Sequence, residues 1–270
     1  MGSARTIVMI HGMWCRSTVW DSYRHFFEDE GYRCLVPTLR HHDTGLGEVP
    51  DPRLGSTSLG DYAADLEALV GELDEPPILM GHSMGALLAR KVAARAPVEA
   101  LVLLTPAPAA GTWAILNGSV RQAFRAPLLT WGFWRKPLPL RLKDASRFVF
   151  NNLDPEKREA VYRTLSWESG RAAAEMGLWF LDRGGASRVD PPRTTCPVLV
   201  VGAALDRITP VAIARGTAES CGVSAVYREY EDFAHWVLSE QGWERIAGDI
   251  REWLSGQRMP GNTKGNDDHH

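Results

Sequence analysis

Short apolar runs alternate along this chain with longer stretches whose apolar positions recur every three or four residues. The runs have the length of buried strands, and the longer stretches have the period of helices with one apolar face. Residues 6–10 predict the first strand. Residues 19–30 follow as a helix stopped at Gly31, and 32–37 as the second strand. A helix over 59–73 has Ser58 in place as its N-cap. Then come a strand at 77–80, a helix at 84–94 and a strand at 98–104. The same rhythm resumes late, with a strand at 197–202, a helix at 210–219, a strand at 224–230 and a closing helix at 241–254. Strands apolar on both faces, alternating with helices, predict an α/β architecture: a mostly parallel sheet flanked by helices on both sides.

Between the two groups the rhythm stops. Roughly 90 residues without a sheet strand are too many for a plain loop. The segment is aromatic, with five of the ten tryptophans: Trp113, Trp131, Trp134, Trp167 and Trp179. Asp154-Pro155 has the form of an N-cap and first helical residue, opening a helix to about 165, and a second helix covers 170–182. Residues 106–194 are therefore expected to form a helical cap inserted into a core made of 1–105 and 195–254. Residues 255–270 are polar, carry Gly256, Gly261 and Gly265, and are expected to be a disordered tail that includes His269-His270.

Composition narrows the function classes. The formal net charge of -3 provides no basic field for nucleic acid. No run approaches the roughly 18 apolar residues of a membrane helix, so no stable membrane insertion is expected. No secretory leader is visible before the first strand. Cys15, Cys34, Cys196 and Cys221 form no CxxC pair or zinc motif, which fits free thiols and a cytoplasmic location. No pattern in the chain specifies an oligomeric state.

The strongest chemical signal is Gly81-His82-Ser83-Met84-Gly85-Ala86, a G-x-S-x-G motif between an apolar strand and a helix. A sharp turn there exposes the Ser83 hydroxyl as a nucleophile, and small neighbours let strand and helix approach. The following helix N-terminus favours developing negative charge. Beyond Ser83 and short of the tail the chain has one histidine, His235, within Asp232-Phe233-Ala234-His235-Trp236. Asp206 follows a buried strand in Gly202-Ala203-Ala204-Leu205-Asp206-Arg207-Ile208-Thr209-Pro210, and Asp232 is the second candidate for the acid. A nucleophilic serine needs a base, and the base an orienting carboxylate.

With Ile10-His11-Gly12-Met13-Trp14 directly after the first strand, the chain from about residue 6 to 254 resembles the α/β-hydrolase fold superfamily. GHSMG followed by a small residue is similar to monoacylglycerol-lipase-like and lysophospholipase-like members, a similarity shared too widely to set a substrate. The resemblance implies a catalytic triad of Ser83, Asp206 and His235, in the family's order. It also implies an oxyanion hole made by the backbone N–H groups of Met13 and Met84, with His11 bracing the loop. It implies no metal and no organic cofactor. By the same resemblance the first strand here corresponds to the family's third, so the first two strands are expected to be absent, and the cap matches no family signature.

The expected function is a serine carboxylic ester hydrolase, an esterase or lipase acting on a small-molecule ester through an acyl-enzyme. The same triad serves lactonases, thioesterases and C–C hydrolases. Hydroxynitrile-lyase-type enzymes and triad-bearing ligand receptors are the other classes weighed. The expected pocket is lined by Trp14, Trp131, Phe133, Trp134, Met176, Trp179, Phe180 and Trp236, with Met176, Trp179 and Phe180 sharing one helix face by their i, i+3, i+4 spacing. Such a pocket favours a hydrophobic acyl or aromatic group. The mix of aromatics and cations over 131–137 is read as cap packing over this pocket in preference to a membrane contact. His41-His42-Asp43 is read as a solvated loop, not a metal cluster.

Overall fold

A computed structural model describes residues 4–125, 129–189, 195–222 and 225–257. Among these, six parallel strands form one sheet: β1 (Thr6–Ile10), β2 (Arg33–Leu35), β3 (Ile78–His82), β4 (Ala100–Leu104), β7 (Val198–Ala203) and β8 (Ala225–Tyr230), in the order β2-β1-β3-β4-β7-β8. β5 (Pro137–Leu138) and β6 (Glu168–Ser169) form a separate antiparallel pair inside the inserted segment. That pair departs from the purely helical expectation for 106–194.

The strands alternate their side chains between two apolar layers, as the period of two requires. Val8, Ile10, Leu79, Leu101, Leu103, Val198 and Val200 pack on one face with α2 (Leu59–Gly71), α3 (Met84–Ala93) and α7 (Val211–Ser220). Ile7, Met9, Ile78, Met80, Val102, Leu199 and Val201 pack on the other with α1 (Asp21–Asp29) and α8 (Trp243–Gly256). The central strands are buried on both sides, which is why they appear in the sequence as unbroken apolar runs.

Local chemistry sets the boundaries. Ser58 caps α2 in a reciprocal capping box with Asp61. The first predicted helix divides into a 3-10 turn at Ser17–Trp20 and α1. The last helix runs on through Ser255 and Gly256, two residues further than expected. The remainder of the expected tail, including His269-His270, lies outside the described residues. The chain runs outward from β1 to β2, then crosses back to β3 on the other side of β1. The carboxyl ends of β1 and β3 therefore flank the point where strand order reverses, where open α/β sheets place their crevice.

Candidate active site

Ser83 sits between β3 and α3 with φ 56° and ψ -118°, a conformation non-glycine residues rarely adopt. The turn is held because Ser83 N–H donates to Leu104 O at 2.9 Å and Ser83 O accepts from Ala86 N and Ala107 N, both at 3.0 Å. Its tightness fixes the neighbours. A Cβ on Gly85 would run into the carbonyl oxygens of Ile10 and His11, and one on Gly81 into the backbone of Gly85. The loop after β1 is equally close, since a Cβ on Gly12 would stand 2.9 Å from Ser83 Cβ. Met84 opens α3, where the first N–H groups lack an intrahelical acceptor.

Asp206 and His235 meet across the ends of β7 and β8. His235 Nδ1 lies 2.7 Å from Asp206 Oδ2, with both side chains buried. Asp206 Oδ1 accepts from Ile208 N at 2.9 Å and Thr209 N at 2.8 Å. Thr209 Oγ1 is 2.8 Å from Asp206 Oδ2 and 3.1 Å from His235 Nδ1. With Nδ1 so occupied, Nε2 is the ring nitrogen left to exchange a proton. The backbone beside His235 is also fixed: His235 O accepts from His82 Nε2 at 2.9 Å and from Thr105 Oγ1 at 3.3 Å. Buried Glu240 accepts from Ala234 N at 2.8 Å and Trp236 N at 3.0 Å. Asp232 points elsewhere, pairing with Arg245 at the surface.

Thr209 and Glu240 were missed by sequence reasoning. Thr209 left a faint trace as a hydroxyl three residues past Asp206. Glu240 left none, because its burial is made by the fold.

His11 is wholly buried and braces its loop. Its Nε2 accepts from Leu39 N at 3.0 Å, so its Nδ1 carries the proton and donates to Gly12 O at 2.9 Å. Burial, with His42 close by, pushes its pKa down to about 3, and the ring stays neutral. The sequence places His42 in a solvated loop, but it is wholly buried, with Nε2 3.3 Å from Glu168 Oε2. Among the described residues no cluster of His, Cys, Asp or Glu could hold a metal ion.

Ser83, His82, Thr209 and His235 open into a cleft whose empty space, open solvent included, is about 960 Å³. Met13, Trp14, Phe133, Met176 and Trp236 line it, as do Val120, Phe124, Leu140, Val149 and Leu178. No Asp, Glu, Lys or Arg is among its described lining residues.

Four of the expected lining residues lie outside that wall. Trp131 is 87% exposed and packs on Trp134. Trp179 and Phe180 gather with Trp113 on the outside, and Trp179 Nε1 donates to Thr112 O. The reason is local. α6 (Gly170–Gly177) ends before them and Trp179–Leu181 is a 3-10 turn, so the helical spacing that joins them to Met176 does not apply.

Residues 7–249 match the alpha/beta hydrolase family. The chain is 25% identical over 226 residues to the monoacylglycerol lipase of Mycolicibacterium smegmatis, covering 82% of this chain and 78% of that one. The structure is similar to that of a thermophilic esterase from Thermogutta terrifontis, at a TM-score of 0.68 and 25% identity, covering 96% of this chain and 92% of that chain. It also has the fold of the Paleococcus ferrophilus monoacylglycerol lipase, at a TM-score of 0.69 and 22% identity, with 95% and 97% covered.

Proposed function

The chain belongs to the alpha/beta hydrolase family, and from that premise we propose that it is a serine hydrolase of carboxylic esters that works through an acyl-enzyme and prefers a hydrophobic acyl or aromatic group. One observation carries the mechanism: Ser83 stands in its strained turn in the same cavity as His235, whose Nδ1 is 2.7 Å from Asp206. Ser83 Oγ attacks the ester carbonyl and its proton passes to His235 Nε2. Asp206 fixes the ring and stabilises its cation. The N–H groups of Met13 and Met84 hold the oxygen as it takes up negative charge. The alcohol leaves with the proton held by His235. Water then gives a proton to the same nitrogen, attacks the acyl carbon and releases the acid, regenerating Ser83. The inserted segment acts as a cap, supplying Phe133 and Met176 to the cavity wall.

The absence of Asp, Glu, Lys and Arg from the described lining supports the substrate preference, since a charged substrate group would lose hydration there without a countercharge from those residues. A series of p-nitrophenyl esters from acetate upward tests it. Each methylene that finds room should contribute about 0.8 kcal/mol, roughly fourfold in kcat/KM, until the cavity is full. A steady fall in kcat/KM from acetate upward contradicts the preference, and no ester turnover at all contradicts the activity.

A further inference from the structure

The loop that carries Met13 is gripped by the inserted segment. Glu168, on β6, is wholly buried. Its Oε2 accepts from the backbone N–H of Trp14 at 3.2 Å and faces His42 Nε2 at 3.3 Å. Its Oε1 accepts from Tyr62 Oη at 3.0 Å and from its own neighbour Ser169 N at 2.6 Å. One carboxylate thus ties together the loop after β1, the loop after β2, helix α2 and the β6 strand. Trp14 is held further by the same segment. Its carbonyl accepts from Ser166 N at 2.7 Å, and its indole Nε1 donates to Leu138 O at 3.0 Å. Trp14 has φ 60°, in the left-handed region, which a bulky residue keeps only when its surroundings hold it there.

The Glu168 side chain faces a buried imidazole. His42 Nδ1 faces the Arg40 carbonyl at 3.1 Å and its Nε2 faces the carboxylate. Both neighbours offer acceptor oxygens, an arrangement that favours the protonated ring. Burial, the largest single influence, opposes that charge, but the Glu168 carboxylate and the backbone carbonyls of Arg40 and Leu39 together raise the His42 pKa.

We propose that Glu168 is a positioning residue for the reaction. By binding the Trp14 N–H it fixes the peptide that follows Met13, which aims the Met13 N–H at the substrate oxygen. A formed oxyanion hole then depends on the inserted segment being seated. This inference rests on the reading of Ser83 as nucleophile and Met13 as oxyanion donor.

Both oxygens of Glu168 accept from a backbone N–H, so an amide cannot replace it. In Glu168→Gln the NH2 group must face either Trp14 N–H or Ser169 N–H, donor against donor. The test compares the full-length wild type, Glu168→Gln, Phe27→Leu and Ser83→Ala on one apolar ester and one trifluoromethyl ketone, whose hydrated or serine-bound oxygen mimics the oxyanion. Phe27 is buried with α1 on the opposite face of the sheet, so Phe27→Leu reports on lost stability alone. We expect Glu168→Gln to lose roughly 10- to 100-fold in kcat, the scale of a displaced reacting group. KM should stay within about twofold, and ketone affinity should fall by the same factor as kcat. Phe27→Leu should lose melting temperature without losing kcat. If Glu168→Gln does not fold, Glu168→Asp keeps an acid in this pocket but draws its oxygens back from Trp14 N–H, and should show the same split between kcat and KM. A folded Glu168 variant with wild-type kcat and ketone affinity overturns the proposal while leaving the nucleophile reading intact. Ester turnover by Ser83→Ala at the wild-type rate overturns the reading beneath it.

Discussion

At the scale of single residues, two aspartates compete for one role and geometry separates them. Asp206 touches His235 and is anchored by two loop amides, whereas Asp232 sits at the surface against Arg245. Asp206→Asn would present an amide N–H to Nδ1 and favour the wrong ring tautomer. It should reduce kcat on the order of 10⁴-fold, while Asp232→Asn stays within a few-fold of wild type. Steady-state kinetics of the two variants checks this, and a larger loss at Asp232 would transfer the role. Ser83, Asp206 and His235 were legible because each lies in a local pattern: a tight turn, a strand end, a lone histidine before the last helix. Glu168, Glu240 and His42 were not. A carboxylate or imidazole buried by partners more than a hundred residues away, as His42 is by Glu168, has the same sequence signature as one in water.

At the scale of elements, the sheet was legible and the inserted segment less so. β1, β3, β4 and β7 are buried on both faces, so their apolar runs announced them within two residues of their ends. In the inserted segment, helical spacing was extended past Gly177, where α6 stops. The two-residue strands β5 and β6 are too short to leave a period, yet they matter most there. They carry Leu138 and Glu168, which bind Trp14. The segment that supplies much of the cavity wall is thus the one that holds the loop after β1. Its outward aromatics, Trp131 and Trp113 among them, belong to a different surface from its inward ones, Phe133 and Met176. Sequence spacing alone could not divide them.

At the scale of the whole molecule, the reversal of strand order brings the ends of β1 and β3 together, and the site's histidines are buried with them. Burial, with neighbouring histidines adding to it, pushes His11 and His82 down to about 3. In the unfolded chain these rings titrate near 6.5. Below that value the unfolded state binds more protons, so stability falls as pH drops toward 3, by up to about 1.4 kcal/mol per pH unit for each ring. His42, with its pKa raised, works in the opposite direction near and above 6.5, where its unfolded ring is still taking up a proton, and adds no slope well below that value. Burial raises Glu175 and Glu240, which work in the opposite direction only as pH nears the carboxylate range. The melting temperature should fall between pH 7 and pH 5, and less steeply in His82→Asn. A wild-type melting temperature flat across that window would contradict this account. The central claim, a covalent intermediate on Ser83, is tested most directly by intact-protein mass spectrometry followed by peptide mapping after exposure to an alkyl fluorophosphonate. One adduct per chain is expected, located on Ser83 and absent from Ser83→Ala; a wild-type protein that hydrolyses esters yet stays unlabelled at Ser83 would contradict a covalent intermediate there.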